Sequence, residues 1–185
     1  MPPKPGHVRI IAGEWRSRVI PIPTGVELRP TTDRIRETLF NWLSPYIEGA
    51  RCLDVCSGSG ILAFESLSRG AAHVTLIDNE QQVVKHLRQQ AEIFNTSQVD
   101  IICSDVVQWL SQEATTQFDI AFIDPPFASQ LWNPICQHLE NNHWLAQNAL
   151  FYLEMPVGQN LELPPNWRPL KQKRAGNVCY ELWSN

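Results

Sequence analysis

The sequence lacks several features that mark whole classes of protein. It contains no run of about 18 apolar residues, which is near the length that a membrane-spanning helix needs. Its first nine residues have no apolar stretch of the kind found in a secretory signal. The five cysteines form no CxxC pair, and the five histidines are scattered without the spacing of metal ligands. We therefore expect a cytoplasmic protein with no disulfide framework and no bound metal.

Positive charge is scarce in the middle of the chain and concentrated at its ends. Residues 1–36 hold seven Lys or Arg against three acids, and residues 168–185 hold four against one. Residues 37–167 hold four against fifteen, so the net charge of −4 hides an uneven distribution. This distribution permits a phosphate-binding surface built from the two ends, although ordinary solvated charge would produce the same pattern.

The length of 185 residues suits one domain with a full core and an N-terminal appendage. Two short β-type runs, Val8–Ala12 and Arg18–Ile22, predict a hairpin or extended arm within residues 1–30, and residues 31–185 form the main domain. Capping residues and apolar residues at helical spacing then predict a helix from Asp33 to Leu43.

From residue 51 short apolar runs alternate with longer amphipathic segments, the pattern of βαβ units in a mainly parallel α/β sheet covered on both faces. Trp167–Gln172 and Val178–Trp183 break that rhythm and predict an antiparallel pair at the sheet edge. The predicted strands are Arg51–Cys56, His73–Asp78, Val99–Cys103, Phe118–Asp124 and Ala149–Glu154, and the predicted helices are Ile61–Arg69, Glu80–Asn95, Asp105–Glu113 and Gln130–Asn141.

A glycine-containing loop follows the first of these strands. Gly58 and Gly60 let the backbone turn sharply and approach a ligand, and the helix start behind them supplies unpaired N–H groups. With Ala63 the loop also matches the GxGxxA pattern of nicotinamide-dependent enzymes, so by itself it does not separate two cofactor classes. Asp54 favours S-adenosylmethionine, because its carboxylate can hold a cationic amino group but repels a pyrophosphate.

More polar side chains follow the next two strands. Asp78 can accept hydrogen bonds from both hydroxyls of a ribose, and Asp105, beside Ser104, can accept one from an adenine amino group. Ligands of open α/β sheets lie beyond the carboxyl ends of the strands, so acids at successive strand ends predict one site. The predicted cofactor-binding residues are Asp54, Ser57, Gly58, Gly60, Asp78, Asn79, Ser104 and Asp105.

The fourth of these strands runs into Asp124-Pro125-Pro126-Phe127. The amino group on a nucleic-acid base is a poor nucleophile, because its lone pair is delocalised into the ring. The Asp124 carboxylate and the Pro125 carbonyl can hold its two N–H bonds and direct the lone pair toward a methyl donor, and Phe127 can stack on a base taken out of its helix. These three residues are the predicted catalytic residues, with Asp124 also placed to collect the released proton.

Five segments form a recognisable pattern across nearly the whole chain. They are Arg9-Ile10-Ile11-Ala12-Gly13, residues 29–43 beginning Arg29-Pro30-Thr31, Leu67–Ala71, Asp124–Phe127 and Lys173–Tyr180. In their order and spacing these segments together resemble the bacterial RsmD family, whose members methylate the N2 amino group of a guanine in small-subunit ribosomal RNA. The Arg-Pro-Thr segment is the most specific of them.

The resemblance implies a Rossmann-like methyltransferase fold with a seven-stranded sheet, and S-adenosylmethionine as donor with S-adenosylhomocysteine as product. It also implies a partner, 16S ribosomal RNA within the 30S subunit or its assembly intermediate, and we expect the enzyme to be a monomer. Residues 1–30 would be an RNA-facing arm. The predicted RNA-binding residues are Arg16, Arg18, Arg29, Thr31, Arg34, Lys173 and Arg174, with Arg36 and Lys171 as further candidates for phosphate contacts.

Some alternatives stay open at this point. Thr31 and Arg34 would serve equally to close over the cofactor, and Trp15 would serve either to stack on a base or to pack the arm. An adenine-N6 methyltransferase of DNA or RNA would share the Asp124–Phe127 segment. A nicotinamide oxidoreductase would use Gly58 and Asp78 but leave the other acids unexplained, and a silent RNA-binding module would need none of them.

Overall fold

The computed structural model of the chain describes residues 6–23 and 32–185. The helices are α1 (Asp33–Leu43), α2 (Ile61–Ser68), α3 (Gln81–Ile93), α4 (Val106–Leu110) and α5 (Trp132–Asn141). The strands are β1 (His7–Arg9), β2 (Val19–Pro21), β3 (Arg51–Asp54), β4 (His73–Asp78), β5 (Val99–Cys103), β6 (Phe118–Ile123), β7 (Leu145–Pro156), β8 (Arg168–Ala175) and β9 (Val178–Ser184).

Seven of the strands form one sheet in the order β5-β4-β3-β6-β7-β9-β8. The first five in that order are parallel, whereas β9 is antiparallel to β7 and β8 is antiparallel to β9. This confirms the predicted α/β class, the seven-stranded sheet and its antiparallel C-terminal edge. Among the described residues, no helix has the length and apolar character needed to cross a membrane.

Helices cover the sheet on both faces. One buried cluster joins α1, α2, α3 and the N-terminal hairpin to alternate residues of the strands, and a second joins α4 and α5 to the residues between them. Tyr152 belongs to the first cluster, and its neighbours Phe151 and Leu153 belong to the second. This alternation, which follows from the two-residue period of a strand, decides which side chains at the strand ends face the same way.

The start of α1 is determined by local chemistry. Thr32 has an extended backbone, and its side-chain oxygen accepts a hydrogen bond from the backbone N–H of Ile35, at 3.4 Å. This N-cap satisfies one of the amides that a helix leaves unpaired at its start. The predicted helix bounds at Asp33 and Leu43 are therefore confirmed.

The strand β7 differs most from its predicted bounds. It begins at Leu145 rather than Ala149, and its register against β6 shifts between Phe118 and Ile120. Asn148 has a φ of 59°, a left-handed conformation that interrupts the regular pleat. Gln147 and Asn148, just before Ala149, are polar and exposed, as loop residues usually are, although they belong to the strand.

The N-terminal hairpin packs onto α2 and α3. Val8, Ile10 and Ile20 are buried, and the ring of Trp15 stacks on that of Phe94 with centroids 4.5 Å apart. Packing is therefore the role of Trp15 that the structure supports. The predicted boundary between the arm and the main domain, at residue 30, lies outside the described residues, as do Arg29 and Thr31.

Two hydrogen-bond clusters hold this hairpin in place. The Glu65 carboxylate, fully buried in α2, accepts the backbone N–H groups of Ile11 at 2.7 Å and Ala12 at 3.1 Å. The Ser68 hydroxyl donates to the Ala12 carbonyl at 2.6 Å and accepts from the Trp15 N–H at 2.9 Å. Gly13 passes so close that a Cβ there would lie 1.7 Å from the Ser68 carbonyl oxygen.

Candidate active site

A cavity of about 560 Å³ opens at the carboxyl ends of the central strands. The connections that follow β3 and β4 lead to helices on one face, and those that follow β5 and β6 lead to helices on the other. The crevice therefore lies where the winding of the sheet reverses, which is the usual ligand position in an open α/β sheet. The loops after β3, β4, β5 and β6 contribute its walls.

The glycine loop is tied to the end of β4. The Gly58 N–H donates to one oxygen of the Asp78 carboxylate at 3.0 Å, and the Glu80 N–H donates to the other at 2.9 Å. Burial raises the pKa of Asp78, and these amide hydrogen bonds oppose that shift. Asp78 lines the cavity, and a carboxylate oxygen that accepts one bond keeps capacity for a ribose hydroxyl.

Ser57 and Gly60 support this loop from behind. The Ser57 hydroxyl donates to the carbonyls of Asp54 and Ile77, at 3.0 and 3.2 Å. Gly60 has a φ of 76°, and a Cβ there would lie 2.5 Å from the Leu87 side chain. Gly60 is absent from the described cavity wall, so its missing side chain serves the packing of α3 against the loop. Its role in cofactor binding stays a prediction.

Asp54 is buried in the cavity wall at the end of β3. Burial and the nearby Asp78 carboxylate raise its pKa from an ordinary 3.8 to about 7, although the backbone N–H groups of Cys56 and Ala63 donate to it. The carboxyl group therefore organises the turn of the loop, and its pKa of about 7 places it close to its titration point at neutral pH. A cationic amino group beside it would stabilise the ionised form.

The predicted residues after β4 and β5 also lie in the cavity wall. Asn79 is exposed beside Asp78, and Ser104 is half-buried. Asp105 caps α4 by accepting the Gln108 N–H at 2.9 Å, so the structure gives this carboxylate a capping role as well. An adenine contact by Asp105 stays a prediction.

The Asp124–Phe127 segment forms the opposite end of the cavity. All four of its residues line the wall; Pro125 is buried, whereas Asp124 and Phe127 are half-buried. The Phe127 ring lies against Trp132 with centroids 6.2 Å apart, which orients one side of the ring and leaves part of it exposed. The structure thus brings the predicted catalytic residues together with the cofactor loop in one cavity.

Two acidic residues of this wall, Glu80 and Glu154, are not among the predicted site residues. Glu154, in β7, lines the cavity and is 3% exposed. Its carboxylate accepts a hydrogen bond from the Tyr152 hydroxyl at 2.6 Å. The sequence pattern predicted only a strand here. The available signal for a site residue was the position of this carboxylate at the end of a predicted parallel strand, like that of Asp124.

The chemistry of this cavity fits a cationic cofactor. Carboxyl groups of Asp54, Asp78 and Asp124 line the cavity, and burial, together with these nearby acids, raises the pKa of the Cys56 thiol well above its ordinary value. A pyrophosphate would bring further negative charge into this acid-lined space, which Coulomb repulsion disfavours. S-adenosylmethionine, with its ammonium and sulfonium charges and two ribose hydroxyls, matches the acceptors present.

Within the described part of the chain, no Lys or Arg lines the cavity wall. Arg18 lies over Phe94 at 4.7 Å and donates to the carbonyl of Ile93 at 3.1 Å, near the C-terminal end of α3. Because a helix in a βαβ unit runs antiparallel to the strands, this end is remote from the cavity. Arg16 and Arg34 are exposed, as are Lys171, Lys173 and Arg174 on β8.

Arg36 differs from these residues, because its guanidinium is fully buried. It forms ion pairs with Asp33 at 2.6 Å and Glu65 at 3.6 Å, and it donates to the Arg9 carbonyl at 2.9 Å. The hypothesis that Arg36 holds a phosphate is therefore wrong. A charge that is desolvated and paired in this way has a structural role.

The fold and this acid-lined cavity define a methyltransferase of the Rossmann-like class. The profile of a family described as conserved hypothetical protein 95 matches residues 8–184, and ribosomal RNA small subunit methyltransferase D of Escherichia coli is 44% identical over 179 residues, covering 96% of this chain and 90% of its own. The chain belongs to this family, the RsmD family. Its membership removes the nicotinamide oxidoreductase as an alternative.

Two further similarities agree with this assignment. Ribosomal RNA small subunit methyltransferase D of Haemophilus influenzae is 43% identical over 183 residues, covering 97% of this chain and 95% of its own. A solved structure from Escherichia coli superposes with a TM-score of 0.89 at 43% identity, covering 97% of this chain and 98% of its own. The similarity therefore extends over the arm and the sheet together.

Proposed function

We propose that this protein transfers a methyl group from S-adenosylmethionine to the N2 amino group of a specific guanine in 16S ribosomal RNA, within the 30S subunit or its assembly intermediate in the cytoplasm. The observation that carries the proposal is the single cavity in which the acid-lined cofactor loop faces the Asp124–Phe127 segment. The names of the relatives, which act on ribosomal RNA of the small subunit, support the class of substrate.

The residues at the cofactor end of the cavity would bind and orient the donor. Asp54 would hold its ammonium group, and Asp78 would accept hydrogen bonds from the ribose hydroxyls. Asn79, Ser104 and Asp105 would contact the adenine part. When bound, S-adenosylmethionine supplies an electrophilic methyl carbon on a sulfonium.

The residues at the other end would position the acceptor amine. The Asp124 carboxylate and the Pro125 carbonyl would each accept one N–H bond, so that the nitrogen lone pair points along the line of displacement. As the new N–C bond forms and the S–C bond breaks, the amine becomes cationic and Asp124 is placed to take its proton. Phe127 would stack on the base and keep it out of the RNA helix.

Labelled methyl transfer tests this function directly. The purified protein is given S-adenosylmethionine with a radiolabelled methyl group and 30S particles from cells that lack their own enzyme, beside naked 16S RNA and duplex DNA. We expect label in the RNA, recovered as N2-methylguanosine after nucleoside analysis. Label in methyladenine would replace the proposal with adenine-N6 methylation, and cofactor binding without any transfer would contradict catalysis.

A further inference from the structure

The strand register places Glu154 beside Asp124. In the parallel pair β6·β7 Ile123 is aligned with Leu153, so Asp124, the residue just past the end of β6, lies beside Glu154 of β7, with backbones about 4.8 Å apart. Phe122 and Tyr152, two residues earlier on each strand, both face the cluster that holds α1, α2 and α3. The two carboxylates therefore project from the same face of the sheet, and both line the cavity.

The position of Glu154 is fixed from two sides. The Tyr152 hydroxyl donates to its carboxylate at 2.6 Å, and the Trp132 indole N–H donates to its backbone carbonyl at 2.9 Å. Tyr152 and Trp132 are themselves buried. Burial, with the nearby carboxylates of Glu154 and Asp124, raises the pKa of Tyr152 well above its ordinary value, so the phenol stays a donor. A buried carboxylate held in this way is preorganised to accept hydrogen bonds from a ligand.

Two adjacent acceptors distinguish one base from the others. The Watson–Crick edge of guanine presents the N1–H and the N2 amino group side by side, so it carries two neighbouring donors. Adenine and cytosine place a ring nitrogen with a lone pair next to their amino group. One carboxylate suffices to hold the amino group of any base, but a second carboxylate attracts only the guanine edge and repels the other two.

We propose that Glu154 selects guanine by accepting the N1–H of the base while Asp124 holds its N2 amino group. This inference rests on the proposed function, and it assigns the choice between guanine and adenine to a particular side chain. A carboxylate can accept about four hydrogen bonds, so the bond from Tyr152 is compatible with this contact. Sites that hydrogen-bond a substrate donor reject an analogue that lacks it far more strongly than apolar pockets do.

A base analogue tests this role. 2-Aminopurine keeps the amino group at C2 but has an unprotonated N1, and it can be placed at the methylated nucleotide by ligating a synthetic RNA fragment into 16S RNA before reconstitution of 30S particles. For the wild-type protein we expect kcat/KM on the 2-aminopurine particles to be lower than on guanine particles by a factor of about 100 or more.

The variant Glu154→Gln should change that ratio. Its amide can donate to the unprotonated N1, so we expect the preference for guanine to shrink to about tenfold or less. The analogue also lacks the guanine O6, but that difference affects both proteins equally and cancels in the comparison. Tyr152→Phe is the matched control, because it removes the hydrogen bond to Glu154 and keeps the carboxylate, so it should lower the rate and retain the preference.

Each outcome decides between the explanations. If Glu154 only supports the fold, Glu154→Gln lowers both rates together and leaves the ratio unchanged, which overturns the proposal. A wild-type protein that methylates the two particles equally overturns it without any variant, should Glu154→Gln fail to fold. If the wild-type protein forms no N2-methylguanosine on the unmodified particles, the proposed function fails, and this inference fails with it.

Discussion

Asp124 lies where β6 ends and a rigid proline pair begins, at the acceptor end of the cavity. We expect Asp124→Ala to lower methyl transfer by about 100-fold or more, because the amine loses both an acceptor that orients it and a base for its proton. Binding of S-adenosylmethionine, measured by calorimetric titration, should change little, since the residues proposed to hold its ribose and ammonium groups, Asp78 and Asp54, lie at the other end of the cavity. Glu113→Ala, which removes an exposed carboxylate, serves as the control. Full activity of Asp124→Ala would contradict the assigned mechanism.

Asp54 links the cavity to the pH dependence of folding. Its pKa is about 7 in the folded protein and 3.8 ordinarily, so between about pH 4 and pH 7 the folded state holds a proton that the unfolded state releases. The contribution of Asp54 to stability is therefore largest below this window and is lost as the pH rises through it. We expect the urea midpoint of the wild-type protein to fall more between pH 5 and pH 8 than that of Asp54→Asn. Equal falls in the two proteins would show that Asp54 does not titrate in this window.

Glu65 joins three elements, because α1, α2 and the N-terminal hairpin all contact its carboxylate. It accepts the hairpin amides of Ile11 and Ala12, pairs with Arg36, and accepts the Arg69 Nε–H at 2.7 Å. We expect Glu65→Gln to lower the free energy of unfolding by about 1–3 kcal/mol, because the neutral amide weakens the buried hydrogen bonds to the hairpin while Asp33 remains an ion-pair partner of Arg36. Urea denaturation measures this change.

The exposed acid Glu92 on α3 provides the matched control for Glu65. Glu92→Gln should stay within about 0.5 kcal/mol of the wild-type stability, as surface substitutions usually do. Hydrogen exchange adds local detail, since the Ile11 and Ala12 amides should exchange faster in Glu65→Gln than in Glu92→Gln. Similar stabilities of the two variants would mean that the Glu65 carboxylate does not stabilise the hairpin.

The bounds of helices and strands can be predicted from the sequence better than the contacts between residues that are far apart in it. The bounds of α1, β4 and β5 follow from a cap or from short runs of apolar residues, and the structure confirms them. The role of Glu65 depends on a contact with Ala12, 53 positions away in the sequence. The role of Glu154 depends on the alignment of β7 with β6, which brings it beside Asp124. Neither contact can be predicted from the local sequence pattern. The motifs thus predicted most of the cavity wall, whereas the contacts that fix Glu154 beside Asp124 could be found only in the folded chain.

At the scale of the whole molecule, the pairing of β8 with β9 and of β9 with β7 places the basic C-terminal residues near the acceptor end of the cavity. Lys173 is aligned with Tyr180 across β8·β9, and Tyr180 with Glu154 across β7·β9. Lys173 therefore shares a face of the sheet with Glu154 at a distance of about 10 Å between backbones, and Lys171, two residues along, points the same way. Both side chains are exposed. This arrangement favours a phosphate contact beside the acceptor base.

The salt dependence of RNA binding tests that surface. We expect the double variant Lys171→Gln/Lys173→Gln to weaken binding to 30S particles and to reduce the slope of log Kd against log salt by about one for each phosphate that is no longer neutralised. Arg88→Gln on α3 removes an exposed charge near the opposite edge of the sheet and should leave the slope unchanged. Arg16→Gln/Arg18→Gln reports on the hairpin, where the Arg18 guanidinium is already engaged with Phe94, so we expect a smaller change there. A slope that falls for the hairpin pair and not for the β8 pair would move the RNA to the far end of the sheet, and the acceptor base would then have to reach the cavity without support from β8.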